Sequence, residues 1–171
     1  MESFVLSIIG RDRAGLVEAL AEVVANHGGN WERSHMTELA GMFAGMVLVR
    51  VPKDRAEPFR EALEPLRDRG LMEVTLRPAD SEEDGADGTT VRFEVVGADR
   101  PGIVREVSHR LASRGVSIID LETWTESAAM AGSALFHAVA VARLPDGVSR
   151  DDLVGALEDL SADLMVDIAD A

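Results

Sequence analysis

Phe4, Leu6 and Ile8 stand at alternate positions near the start of the 171-residue chain, the two-residue period of a strand with one buried face. From Leu16 the period lengthens. Leu16, Val17, Leu20, Val23 and Val24 fall on one stripe of a helix, which His27-Gly28-Gly29 ends. Two strand-like stretches follow, 30–38 and 42–51, joined by Ala40-Gly41, which suits a hairpin. Ala56, Phe59, Leu63 and Leu66 mark a second helix that Pro65 should kink or shorten, and Glu73–Arg77 reads as a last strand. The same succession then returns. Val91, Phe93 and Val95 alternate; Ile103, Val104, Val107 and Leu111 form a helical stripe ended by Arg114-Gly115; strands at 116–125 and 134–144 flank an Ala131-Gly132 turn. Leu153, Leu157 and Leu160 mark a helix that Ser149 and Asp152 start as an acidic relative of the capping box, and Leu164–Ile168 closes the series.

Strand-helix-strand-strand-helix-strand, twice, is the split βαβ or ferredoxin-like order. It predicts an α+β protein of two βαββαβ units, each an antiparallel four-stranded sheet with both helices on one face. The second copy is a duplication of the first. Gly10-Arg11-Asp12-Arg13-Ala14-Gly15-Leu16-Val17 recurs as Gly97-Ala98-Asp99-Arg100-Pro101-Gly102-Ile103-Val104, an offset of 87 residues. By Phe43 and Phe136 the offset has grown to 93, which insertions between the second and third elements explain. The expected domains are 1–77 and 89–171, with an acidic linker at 78–88. The third strand of each copy, 42–49 and 134–141, is apolar at both parities, whereas a sheet with one wet face alternates. The open faces are therefore expected to be covered, with the two copies associating and two chains forming a homo-oligomer, a dimer.

Composition narrows the function. Seventeen Lys and Arg against 31 Asp and Glu give a net charge of −14, which disfavours direct contact with nucleic acid, since that affinity rests on basic side chains displacing counterions. The charge is uneven: residues 1–77 carry 10 bases and 12 acids, and residues 89–171 carry 7 and 14. No Cys is present, so no disulfide, thiolate nucleophile or Cys-ligated zinc is expected. Met1-Glu2-Ser3 lacks a basic signal-peptide start, and no apolar run reaches the ~18 residues of a membrane span. The reading is a cytoplasmic protein without membrane contact.

Candidate chemistry concentrates in the Asp-Arg-x-Gly turn before the first helix of each copy. Asp12 and Asp99 have the chemistry of N-caps, and Pro101 suits a first helical turn. Gly15 and Gly102 leave space where something could approach the helix start, and the unsatisfied amides there favour an anion. A plain capped helix and a pocket for a small carboxylate both satisfy this pattern. The four His are dispersed without metal-ligand spacing, and Ser34-His35 and Ser108-His109 are neighbours that point apart, so neither is a nucleophile–base pair. No cofactor motif is present: no Walker loop and no G-x-G-x-x-G.

Asp99-Arg100-Pro101-Gly102-Ile103-Val104, followed by Gly115-Val116-Ser117-Ile118, resembles the ACT domain, a ligand-sensing ferredoxin-like module. Gly28-Gly29-Asn30-Trp31-x-x-Ser34 and Gly41-Met42-Phe43-Ala44-Gly45 resemble the tandem-ACT glycine cleavage system transcriptional repressor family. The likeness spans both copies. It implies effector sites at domain interfaces, lined by Asp12, Arg13, Gly15 and Leu16 with Asn30, and by Asp99, Arg100, Gly102 and Ile103 with Ser117. Two positions depart from the pattern: Ala14 replaces the usual Pro, and Ser117 stands where Asn is common. Asn30 offers an amide donor and acceptor to an amino acid, and after Gly-Gly it equally suits a turn.

The resemblance implies a regulatory, non-enzymatic protein that binds a small amino acid, glycine or a relative, and acts on a DNA-binding or enzyme partner protein. The alternatives are a ligand-independent adaptor with degenerate pockets, and an enzyme, for which the two repeats leave no catalytic domain within these residues.

Overall fold

The structure, a computed structural model, describes residues 1–79, 88–127, 134–160 and 164–170. The chain divides into two units, Met1–Asp84 and Gly85–Ala171. The first holds β1 (Glu2–Arg11), α1 (Leu16–Asn26), β2 (Asn30–Leu39), β3 (Met42–Val51), a 3-10 turn at Lys53–Arg55, α2 (Ala56–Asp68) and β4 (Glu73–Pro78). Its antiparallel sheet runs β2-β3-β1-β4. The second holds β5 (Thr89–Ala98), α3 (Ile103–Ala112), β6 (Ser117–Ser127), β7 (Ala134–Leu144), α4 (Arg150–Glu158) and β8 (Met165–Asp170), in the order β6-β7-β5-β8. Each unit is the ferredoxin-like βαββαβ α+β fold that the alternating periods predict.

Each core lies between the helices and one sheet face. In the first unit Phe4, Leu6 and Ile8 of β1 and Val47, Val49 and Val51 of β3 meet Leu16, Leu20 and Val24 of α1 and Phe59, Leu63 and Leu66 of α2. In the second, Val91, Phe93 and Val95 with five β7 residues meet Ile103, Val107 and Leu111 of α3 and Leu153 and Leu157 of α4. The opposite faces carry exposed apolar side chains, Ile9, Met42 and Met46 in one and Trp124 and Met165 in the other. Trp124 stacks on His137 of β7, ring centroids 5.0 Å apart and 3° from parallel. His137 is thus a packed residue of the sheet's open face, with its Nε2 3.7 Å from the Glu126 carboxylate.

Local chemistry explains the boundaries. Ala40 and Gly41 both take positive φ (52° and 78°), the two-residue turn whose twist suits a hairpin, and Glu38 Oε1 accepts from the Gly41 amide at 2.6 Å. The Ala131-Gly132 turn lies outside the described residues. Ser149 and Asp152 make a reciprocal capping box at α4, and Leu160 packs on the core from the turn beyond that helix. α2 continues through Pro65 to Asp68: the proline lies in the last turn, where losing one amide ends little. Near-identical bulges interrupt the edge strands, at Trp31/Arg33 and at Ile118/Asp120, so the two sheets keep equivalent registers.

Candidate functional site

β1 delivers the chain to the Asp-Arg-x-Gly turn at the end of the sheet where β3 begins, because Arg11 pairs with Met42. The Asp12 amide donates to the Gly41 carbonyl at 2.9 Å, and the Asp99 amide to Ala134 at 2.8 Å, so both aspartates extend their strands. They are not the N-caps expected of them. That position belongs to Gly15 and Gly102, at φ 91° and 94°, with no side chain to cap the helix. Glycine is required here by this left-handed backbone: the nearest atom to an added Cβ is a carboxylate oxygen 3.9 Å away in both copies. Pro101 correspondingly sits before the cap, ahead of the first helical turn. Four residues separate strand from helix in each copy, and the glycine turns the chain at the last of them.

The consequence is a helix start whose first-turn amides face outward uncapped. The first α1 bond runs from the Ala19 amide to the Gly15 carbonyl at 2.9 Å, which leaves the amides of Leu16, Val17 and Glu18 without intrahelical acceptors. Around them opens a cleft of about 310 Å³, lined by Asp12, Arg13, Gly15, Leu16, Val17, Glu18 and Phe43. Its size is at the lower end of the ~300–1,000 Å³ of small-molecule sites. Arg13 reaches across to the α2–β4 loop, where its Nη2 donates to the Gly70 carbonyl at 3.1 Å.

In the second copy the equivalent arginine is engaged differently. Arg100 donates through Nη1 and Nη2 to both carboxylate oxygens of Glu106, at 2.8 and 2.5 Å. These bonds hold the Glu106 carboxyl below its ordinary pKa, over the opposing effect of desolvation and with help from the charges of Arg100 and Arg105. The 87-residue offset puts Ala19 where Glu106 stands and Glu18 where Arg105 stands. One copy therefore lays a carboxylate of its own helix against its arginine, and the other has a methyl group at that point.

An ACT domain profile matches residues 2–76. An unknown protein from Galdieria sulphuraria is 31% identical over 99% of this chain and 98% of its own, with a TM-score of 0.86. A protein provisionally assigned as a glycine cleavage system transcriptional repressor shares the fold, with 17% identity over 99% and 98% of the two chains and a TM-score of 0.73. No curated protein sequence matches. The chain is a tandem ACT-domain protein.

Within each ACT unit the turn residues come together and the second-strand residue does not join them. Asn30 is opposite Arg50, which is opposite Ser3, at the far end of the sheet from Arg11 and Met42. Eight residues of strand separate those rows, roughly 26 Å at ~3.3 Å per residue. Ser117, opposite Arg143, stands equally far from the Asp99 turn in its own unit. Asp12, Arg13, Gly15 and Leu16 all line the first cleft. Val17, Glu18 and Phe43 line it too and were not among the expected site residues. Phe43 carried a signal, since it lies in the Phe-Ala-Gly motif; Glu18 carried a weaker one as the acidic residue of the first helical turn. Among the described residues no three His, Asp or Glu gather as a metal site, and no helix is long and apolar enough to cross a membrane.

Proposed function

We propose that this tandem ACT protein is a regulatory, non-enzymatic sensor that binds a small amino acid, glycine or a close relative, at the first-copy turn. The observation that carries the reading is the cleft at the uncapped start of α1, whose lining includes the cation Arg13 and the carboxylates Asp12 and Glu18. A zwitterion needs both kinds of group. Its carboxylate suits the outward amides, the helix dipole and the Arg13 guanidinium; its ammonium suits the two carboxylates. The volume admits a free amino acid, and glycine or a close relative is what the family resemblance implies. Asn30 acts on a ligand at this turn only from another domain brought against it, as the family resemblance implies.

Signalling follows from differential affinity: a ligand favours whichever packing of domains binds it more tightly, and a partner protein reads that packing. With a chain this acidic, control of transcription in amino-acid metabolism runs through a DNA-binding partner. Titration calorimetry with glycine, alanine, serine and larger amino acids tests the reading. Saturable heat is expected for the small ones, with loss on Arg13→Ala. No heat from any amino acid overturns it and leaves the adaptor reading.

A further inference from the structure

The two open sheet faces, which the helices leave uncovered, differ in overall charge, and at one equivalent position the sign is reversed. On the first unit the face is apolar along its middle strands, with Val5 and Ile9 on β1 and Leu48 and Met46 on β3. Arginines flank that strip, Arg33 on β2, opposite Leu48, and Arg77 on β4, opposite Val5, with the carboxylate Glu73 on β4, opposite Ile9. Arg50, on the same face, is paired with Glu32 at 2.5 Å. On the second unit the strip is Val139 and Val141 of β7, and the flanks are acidic. Asp120 and Glu122 on β6 and Asp167 on β8 outnumber the cations Arg92 and Arg143. Arg33 and Asp120 each directly follow the bulge of their edge strand, so the duplication has reversed a charge on the same backbone.

The acidic face also carries an internal cost. Glu94 and Asp167 are directly opposite each other across β5 and β8, and Val139 alone separates Glu94 from Glu122 along that row. Like charges so placed repel, and cations from outside relieve them.

We infer that the arginine-flanked open face of the first unit docks on the carboxylate-flanked open face of the second unit of another copy of this chain. An apolar strip with a rim of opposite charge on each side is the anatomy of a specific interface. Rim charges of opposite sign steer the encounter and reject the like-with-like pairing that two basic or two acidic faces would make. Each chain offers both faces, so a two-fold pair satisfies all four. Four strands ~4.8 Å apart and ~26 Å long present on the order of 500 Å² per face, or on the order of 2,000 Å² for the pair, the range of stable dimers. The inference does not depend on the ligand reading.

Two charge-reversed full-length variants test it: one with Arg33→Glu and Arg77→Glu, the other with Glu122→Arg and Asp167→Arg. All four positions are exposed, and circular dichroism checks that both variants fold. Sedimentation velocity at tens of micromolar should show a wild-type dimer that salt weakens, and each variant alone associating at least about tenfold more weakly. Mixed in equal amounts the variants should recover the dimer, because each now supplies the face the other lacks. A monomeric wild type, a variant that remains dimeric alone, or a mixture that does not re-associate overturns the inference. Failure of the mixture alone points to a contact within one chain.

Discussion

Ala19→Glu separates the two repeats most sharply. The substitution places in the first copy the carboxylate that Glu106 supplies in the second, on a helix that starts at an equivalent left-handed glycine. In the second copy that carboxylate takes both terminal nitrogens of Arg100 at 2.8 and 2.5 Å. The introduced carboxylate would draw Arg13 from the Gly70 carbonyl and set a negative charge beside the ligand's own carboxylate. Two such charges about 5 Å apart repel by about 1–3 kcal/mol at effective dielectric constants of roughly 80 to 20. That range alone corresponds to roughly 5- to 150-fold weaker glycine binding, and loss of the Arg13 contact adds to it. Calorimetry with glycine reads the change directly, and raising salt should recover part of it because the site is open. A Glu106-bearing helix folds in the second copy, so a melting temperature within a few degrees of wild type is the expected control. Unchanged affinity in the folded variant refutes the assignment of the carboxylate to the helix start.

Glu106→Ala is the reciprocal change: it should free Arg100 from its helix and raise the calorimetric stoichiometry from one glycine per chain to two. Leu20→Ala empties a position with no exposed surface in the first core and should cost about 3 kcal/mol, read by urea unfolding through Trp31 in a Trp124→Phe background. Ser149→Ala removes the side-chain acceptor for the Asp152 amide and should destabilise the second unit by about 1 kcal/mol, read through Trp124 in a Trp31→Phe background. The Asp152 carboxyl is held below its ordinary pKa by hydrogen bonds from the Ser149 hydroxyl and amide. Its folded value is the lower one, so its contribution is full above the unfolded pKa and is lost as pH falls through the folded value. Acid titration of wild type should therefore lose stability in that window, and Asp152→Asn should flatten it.

The fold was legible because its signals are local and repeated. Alternation in Phe4, Leu6 and Ile8 and the stripe through Leu16, Leu20 and Val24 report burial on one face, and the core contains those same residues. Repetition at an offset of 87 residues then supplied each weak element with a second reading. The helix starts were misassigned for a physical reason. An aspartate before a helix has the chemistry of a cap wherever it stands, and only the backbone shows that Gly15 and Gly102 take the cap position at φ 91° and 94°. Pro65 misled in a similar way, since its cost depends on how many turns follow it.

The candidate site was legible as a turn but not as a difference between turns. Asp12, Arg13, Gly15 and Leu16 match Asp99, Arg100, Gly102 and Ile103 nearly residue for residue, and the backbones they build are equivalent. What distinguishes the copies lies in side chains just beyond the shared motif, Ala19 against Glu106 and Glu18 against Arg105, and across the sheet at Arg33 against Asp120. A motif search is blind to these because they are the positions the motif leaves free. Duplication converts that blindness into a method: with the backbone held constant, any charge that changes between equivalent positions changes what the surface can bind. Two such changes set the repeats apart: the Glu106 carboxylate laid against Arg100 at one helix start, and Asp120 in place of Arg33 on the matching edge strand.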